Sequence, residues 1–157
     1  MQPDFRHFQD GAALLQQAMA GVSDRVPVFA QLHEFAAERL RIPRREFFTR
    51  PDLLVPALLQ TQRDFGLDVA SVTFDVYNIE AEALGQTLVW LDGGMPDVDR
   101  SQPLIRDRAD LGRLRTPDFE TAGRFRQVLR MHALFLELTG LQPTLAFCTP
   151  FLLAANL

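Results

Sequence analysis

Lysine is absent: all sixteen basic residues of the 157 are arginine, and 20 acidic side chains outnumber them for a formal net charge of −4. No basic stripe runs through the chain, which argues against a dedicated nucleic-acid binder, since phosphate contacts need clustered cations. The exclusive use of arginine reflects genome composition rather than mechanism. Cysteine is nearly absent too. A single Cys148 excludes an internal disulfide framework and any zinc site built from cysteines of this chain. No apolar run approaches the ~20 residues needed to cross a bilayer. The first residues, Met1 to His7, lack a charged segment followed by a long apolar one, so no signal peptide is expected. These absences point to a reducing, cytoplasmic setting with neither a membrane nor a nucleic acid as partner. What is present is ordinary for a globular chain, with 47% hydrophobic and 23% charged residues.

Periodicity gives the element order. Residues 11–20 form a short helix with Leu14, Leu15 and Met19 on one side, stopped by Gly21. Residues 1–10 are expected to be mobile. The run 26–32 reads as a first strand, with Pro27 tolerable at a strand start. Residues 33–40 can be helical. A longer helix opens at Thr49 as N-cap, with Pro51 in its first turn, Leu54, Leu58, Thr61 and Phe65 at three-to-four spacing, and Gly66 as its end. Residues 67–77 are the second strand. A helical turn over 80–84 closes at Gly85, a brief strand follows at 87–91, and 97–115 reads as loop plus a short surface helix. Another helix opens at Thr116 and ends at Thr139, with Gly140 after it; Phe119, Ala122, Phe125, Leu129, His132 and Leu136 form its buried stripe, while Arg124, Arg126, Arg130 and Glu137 lie off it. Residues 142–148 are the third strand, and an apolar helix begins at Phe151. Strands alternating with helices predict an α/β fold with a parallel sheet, and three strands leave an open apolar edge.

Four segments carry a resemblance: RVPVF at 25–29, FGLD at 65–68, YNIEAEALG at 77–85 and LAFCTPF at 145–151. Together and in this order they resemble the uroporphyrinogen decarboxylase superfamily of (β/α)8 barrels, which includes the cobamide-dependent methyltransferases. The resemblance implies a single partial domain over 1–157, the N-terminal part of such a barrel with about three βα units, where a complete barrel needs ~250 residues. A second chain or a missing C-terminal half would complete it, or a homo-oligomer would cover its edge.

The two branches ask for different residues. The decarboxylases carry an arginine-containing segment after the first strand to grip substrate carboxylates. Here Gln31 and His33 stand in that stretch and no arginine follows until Arg39. A porphyrinogen with several carboxylates needs fixed cations. Asp75 invites comparison with the decarboxylase aspartate that holds pyrrole N–H groups, but an ungapped match through Gly85 leaves it one residue out of register, which on a strand turns a side chain to the other face. Residues 79–85 match the turn after strand two in the methyltransferases without a gap. The resemblance therefore implies a corrinoid-dependent methyltransferase moving a methyl group between a cobamide and a thiol or similar acceptor; the alternatives are porphyrinogen decarboxylation and a non-catalytic binding or scaffold subunit. It also implies zinc and a corrinoid, with the zinc ligands outside this chain, and a small-molecule or corrinoid substrate.

Asp75 and Glu80 are the candidate catalytic residues; Gln31, His33, Tyr77, Asn78, Cys148 and Thr149 are candidates for binding substrate or cofactor. Glu80 and Glu82, two apart, cannot share a helix face, so Glu80 faces inward and Glu82 is read as a solvated or capping carboxylate. His132 is read as a core histidine, His7 has no role, and the arginines and aspartates of 106–115 form a solvated face.

Overall fold

The first helix, α1 (Phe8–Met19), packs through a glycine. A Cβ placed on Gly11 would lie 1.6 Å from the carbonyl oxygen of Asp68, so helix and residue 68 meet backbone to backbone. The computed structural model describes residues 4–75, 78–91, 93–144 and 146–157. Within residues 4–10, part of the segment expected to be mobile, two rings pack inward. Phe5 and Phe8 are buried in the core, and the Phe5 N–H donates to the Leu138 carbonyl at 3.1 Å. Two large rings with nowhere apolar to go but inward hold this segment down, each worth roughly 1.5–3 kcal/mol.

Three helices follow: α2 (His33–Arg39), α3 (Arg44–Phe47) and α4 (Pro51–Asp64). Thr49 does not cap α4. Its hydroxyl donates to the Arg45 carbonyl at 2.6 Å, and Arg50 stands at the N-cap, followed by Pro51, whose fixed φ suits a first turn. Leu54, Leu58 and Thr61 are buried as their spacing requires, whereas Phe65 is exposed and meets Phe35 edge-on.

The strand expectations hold only in part. Residues 26–32, 67–75 and 142–148 contain no strand among the described residues, where the only sheet is an antiparallel pair, β1 (Leu88–Val89) with β2 (Asp97–Val98). Side chains satisfy backbone groups that a ladder would have paired. Pro27 has no N–H to give. The Val28 N–H donates to the Asp68 carboxylate at 2.8 Å, and its carbonyl accepts from the N–H groups of Asp68 and Val69. Gln62 of α4 bonds both the N–H and the carbonyl of Ser71, at 3.1 and 2.7 Å.

A helical turn, α5 (Ile79–Leu84), ends at Gly85 with φ 104°, a left-handed close suited to glycine. A 3-10 turn spans Asp110–Arg113. The long helix α6 (Phe125–Thr139) begins nine residues later than its sequence pattern suggests. Asp118 accepts from the Glu120 N–H and the Thr121 hydroxyl, closing a turn, and Gly123 has φ +52°. The later start turns the helix by part of a revolution. Its buried residues are Phe125, Met131, Leu134, Phe135 and Leu138, while Phe119, Leu129 and Leu136 are exposed. This face meets α4 to make the main core. Gly140 ends α6 as expected, and a final helix α7 (Pro150–Ala155) starts at Thr149. Among the described residues no helix is long and apolar enough to cross a membrane.

Candidate functional site

Gly123 is what lets the site form. A Cβ there would come within 3.0 Å of the Ala83 backbone nitrogen, so the chain passes directly against α5 and delivers the next residue, Arg124, between two acids. Arg124 is 4% exposed. It donates from Nη2 to Asp75 Oδ2 at 2.7 Å, from Nε to Glu82 Oε2 at 2.5 Å, and from Nη1 to the Phe48 carbonyl at 3.2 Å. The rings of Phe74 and Trp90 lie 5.5 and 5.4 Å from its guanidinium carbon. A planar, permanently charged fork is the side chain that can hold two carboxylates and a carbonyl at once.

Asp75 is fixed from its other side as well. Its Oδ1 accepts from Asn78 Nδ2 at 2.9 Å, and the same amide nitrogen donates to the Pro96 carbonyl at 2.7 Å. Asn78 Oδ1 is buried and meets no hydrogen-bond partner among the described residues.

Next to Asp75 lies a cavity of about 220 Å³. Val72, Phe74, Ile79, Phe125 and Leu129 give it mainly apolar walls, and Thr73, Asp75, Glu80, His132 and Thr144 supply polar groups. No arginine lines it. Glu80 accepts the Cys148 N–H at 2.7 Å. Burial pushes the Cys148 thiol above its ordinary pKa, and the carboxylates of Glu80 and Asp75 push it further. The His132 ring, half-buried rather than in the core, is moved below its ordinary value by burial. His33 is buried with the Thr73 hydroxyl 3.2 Å from Nε2. Burial lowers its pKa against the opposing charges of Glu34 and Asp75.

The structure thus gathers Asp75, Asn78, Glu80 and Cys148 around one place, with His33 close behind Thr73. It does not bring Gln31 there: that side chain is exposed. Thr149 accepts the Leu152 N–H at 3.3 Å as the cap of α7. Tyr77 lies outside the described residues. Glu82 is not a solvated carboxylate but a partner of Arg124, and Arg124, read as lying off the buried stripe, is the hub. The glycine before it is the signal that marks its place, because helix phase counted from Thr116 puts residue 124 on the wrong side.

No three His, Cys, Asp or Glu side chains come together as a metal site among the described residues, and the Cys148 thiol is held protonated. The residues present do not fit a zinc ion.

Comparison with known proteins gives two matches of different kinds. The family profile described as uroporphyrinogen decarboxylase (URO-D) matches residues 12–157. Among solved structures, a methyltransferase from Methanosarcina mazei superposes with a TM-score of 0.72 at 20% sequence identity, over 99% of this chain and 45% of that one. The chain thus spans less than half the length of that protein, and the likeness is one of fold, consistent with part of a TIM barrel. No curated protein matches the sequence.

Proposed function

We propose, from the premise that this chain belongs to the uroporphyrinogen decarboxylase family, that it forms the N-terminal wall of a small-molecule pocket in a methyl-transferring barrel. The methyl group would pass between a cobamide and a thiol or similar acceptor. One observation carries this choice over decarboxylation: the cavity is lined by two carboxylates and apolar side chains, with no arginine. The one buried arginine beside it is held between Asp75 and Glu82 and has no fork left for a substrate carboxylate. A polycarboxylate porphyrinogen would meet like charge in an apolar setting, which costs far more than in water.

Within this reading the chain binds and orients. Asp75 is held by two donors, Arg124 Nη2 on one oxygen and Asn78 Nδ2 on the other, which fixes its orientation toward an incoming ligand. Glu80, tied only to the Cys148 N–H, presents the second carboxylate. Zinc and the corrinoid, which the resemblance implies, would be held by residues outside this chain, and no step is derived through either.

The test is an assay of the natively isolated protein with a methylcobamide and a thiol, and separately with uroporphyrinogen. Methyl transfer to the thiol without carbon dioxide release is expected. Release of carbon dioxide from the porphyrinogen would overturn the reading, and neither reaction would favour a binding subunit.

A further inference from the structure

Arg124 pairs with two carboxylates, Asp75 and Glu82. A third carboxylate, Glu80, lines the cavity beside Asp75. Among the described residues it pairs with no cation and takes one donor, the Cys148 N–H. It lines a cavity whose remaining basic side chain, His132, is moved by burial below its ordinary pKa. A half-buried carboxylate in an apolar cavity is costly until a positive group joins it.

The walls narrow the kind of cation. Phe119, Phe125 and Phe147 all line the cavity, and the first two have ring centroids 5.0 Å apart at 56° to one another. Tilted rings offer faces in more than one direction, the arrangement that attracts a cation without N–H groups. A primary ammonium would bring three donors to walls that offer few acceptors beyond the carboxylates, and a metal ion would need more ligands than converge here.

We infer that this cavity binds a quaternary methylammonium group, its methyls against Phe119, Phe125 and Phe147 and its charge beside Glu80. The inference adds a bound cation to the methyl-transfer reading and rests on that reading only for the ligand's role; its own claim is binding.

The experiment compares choline with its uncharged carbon isostere, 3,3-dimethylbutan-1-ol, by calorimetric titration of the full chain. Choline should bind about tenfold more tightly, in line with cation–π contact to partly exposed rings plus one carboxylate. Glu80→Gln, which keeps an acceptor for the Cys148 N–H, should bring the two affinities within about threefold. Phe119→Leu, at a position more than half exposed, should shrink the same ratio, because leucine keeps the apolar contact that both probes share and loses the ring face that only the cation uses. Equal affinities in the unsubstituted protein, no binding of either probe, or a ratio that survives both substitutions would overturn the assignment. A preference for choline without methyl transfer would leave the cation site standing and sink the catalytic reading; methyl transfer without the preference would do the reverse.

Discussion

Arg124 holds more of this molecule together than any other single side chain. It joins α5, the 74–75 segment and the end of α3 through one guanidinium, and it is wholly enclosed while doing so. Removing one member of a buried ionic group leaves the others charged and unpaired, which costs about 3–5 kcal/mol. Arg124→Met keeps the volume and deletes the charge, so Asp75 and Glu82 would face each other without their shared partner. The expected result is a loss of that size in urea unfolding, with a lower midpoint and an unchanged slope. Substitution of Arg126, exposed on the first turn of α6, should move the midpoint very little. An equal effect at both positions would mean that the Arg124 network is not structural. At this scale, sequence alone reaches Asp75, Asn78 and Glu80, because polar residues crowded before a glycine-closed turn stand out against an apolar run. Arg124 and Glu82 stay hidden for a definite reason. Their roles depend on a break at Gly123, and a helix counted continuously from Thr116 carries Arg124 to the solvent side.

The helices follow from local pattern far better than the strands do. Helices α1, α4 and α6 carry their own information in three-to-four spacing and in the glycines after them, at positions 21, 66 and 140. A strand has no such independence, since its groups must be met by a neighbour. Here Asp68 and Gln62 take up the backbone groups of residues 28 and 71, and extended runs rich in β-branched residues remain without a ladder between them. The contact between Gly11 and residue 68 is equally invisible in sequence, where Gly11 looks like an indifferent helix residue. It yields a sharp expectation. Gly11→Ala improves helix propensity by up to ~1 kcal/mol, but its new methyl would overlap the Asp68 carbonyl. Overpacking of this kind costs about 1–3 kcal/mol or more, so the steric effect wins and thermal unfolding should occur several degrees lower. A rise in melting temperature would show that α1 can slide away from residue 68.

Across the whole molecule, the apolar surface is not fully covered. Val26, Val28 and Phe29 of the first apolar run are more than half exposed, as are Phe147 and Phe151 near the other end of the chain. Single exposed apolar side chains need no explanation, but runs of them mark an interaction surface. The chain spans 45% of the methyltransferase it superposes on, and the cavity beside Asp75 is bordered by one of these exposed groups, Phe147. Further barrel elements from a companion chain, from continuing sequence or from a second copy would cover this surface and complete the pocket.

That completion is the claim on which the functional account depends, since no metal site converges among the described residues and the chain spans 45% of the methyltransferase it superposes on. Native mass spectrometry of the protein isolated from its source, without denaturant, tests it most directly. The account predicts a particle heavier than the 17.8 kDa of this chain, with zinc or a corrinoid in the same sample. A stable 17.8 kDa monomer that transfers methyl groups by itself would contradict it.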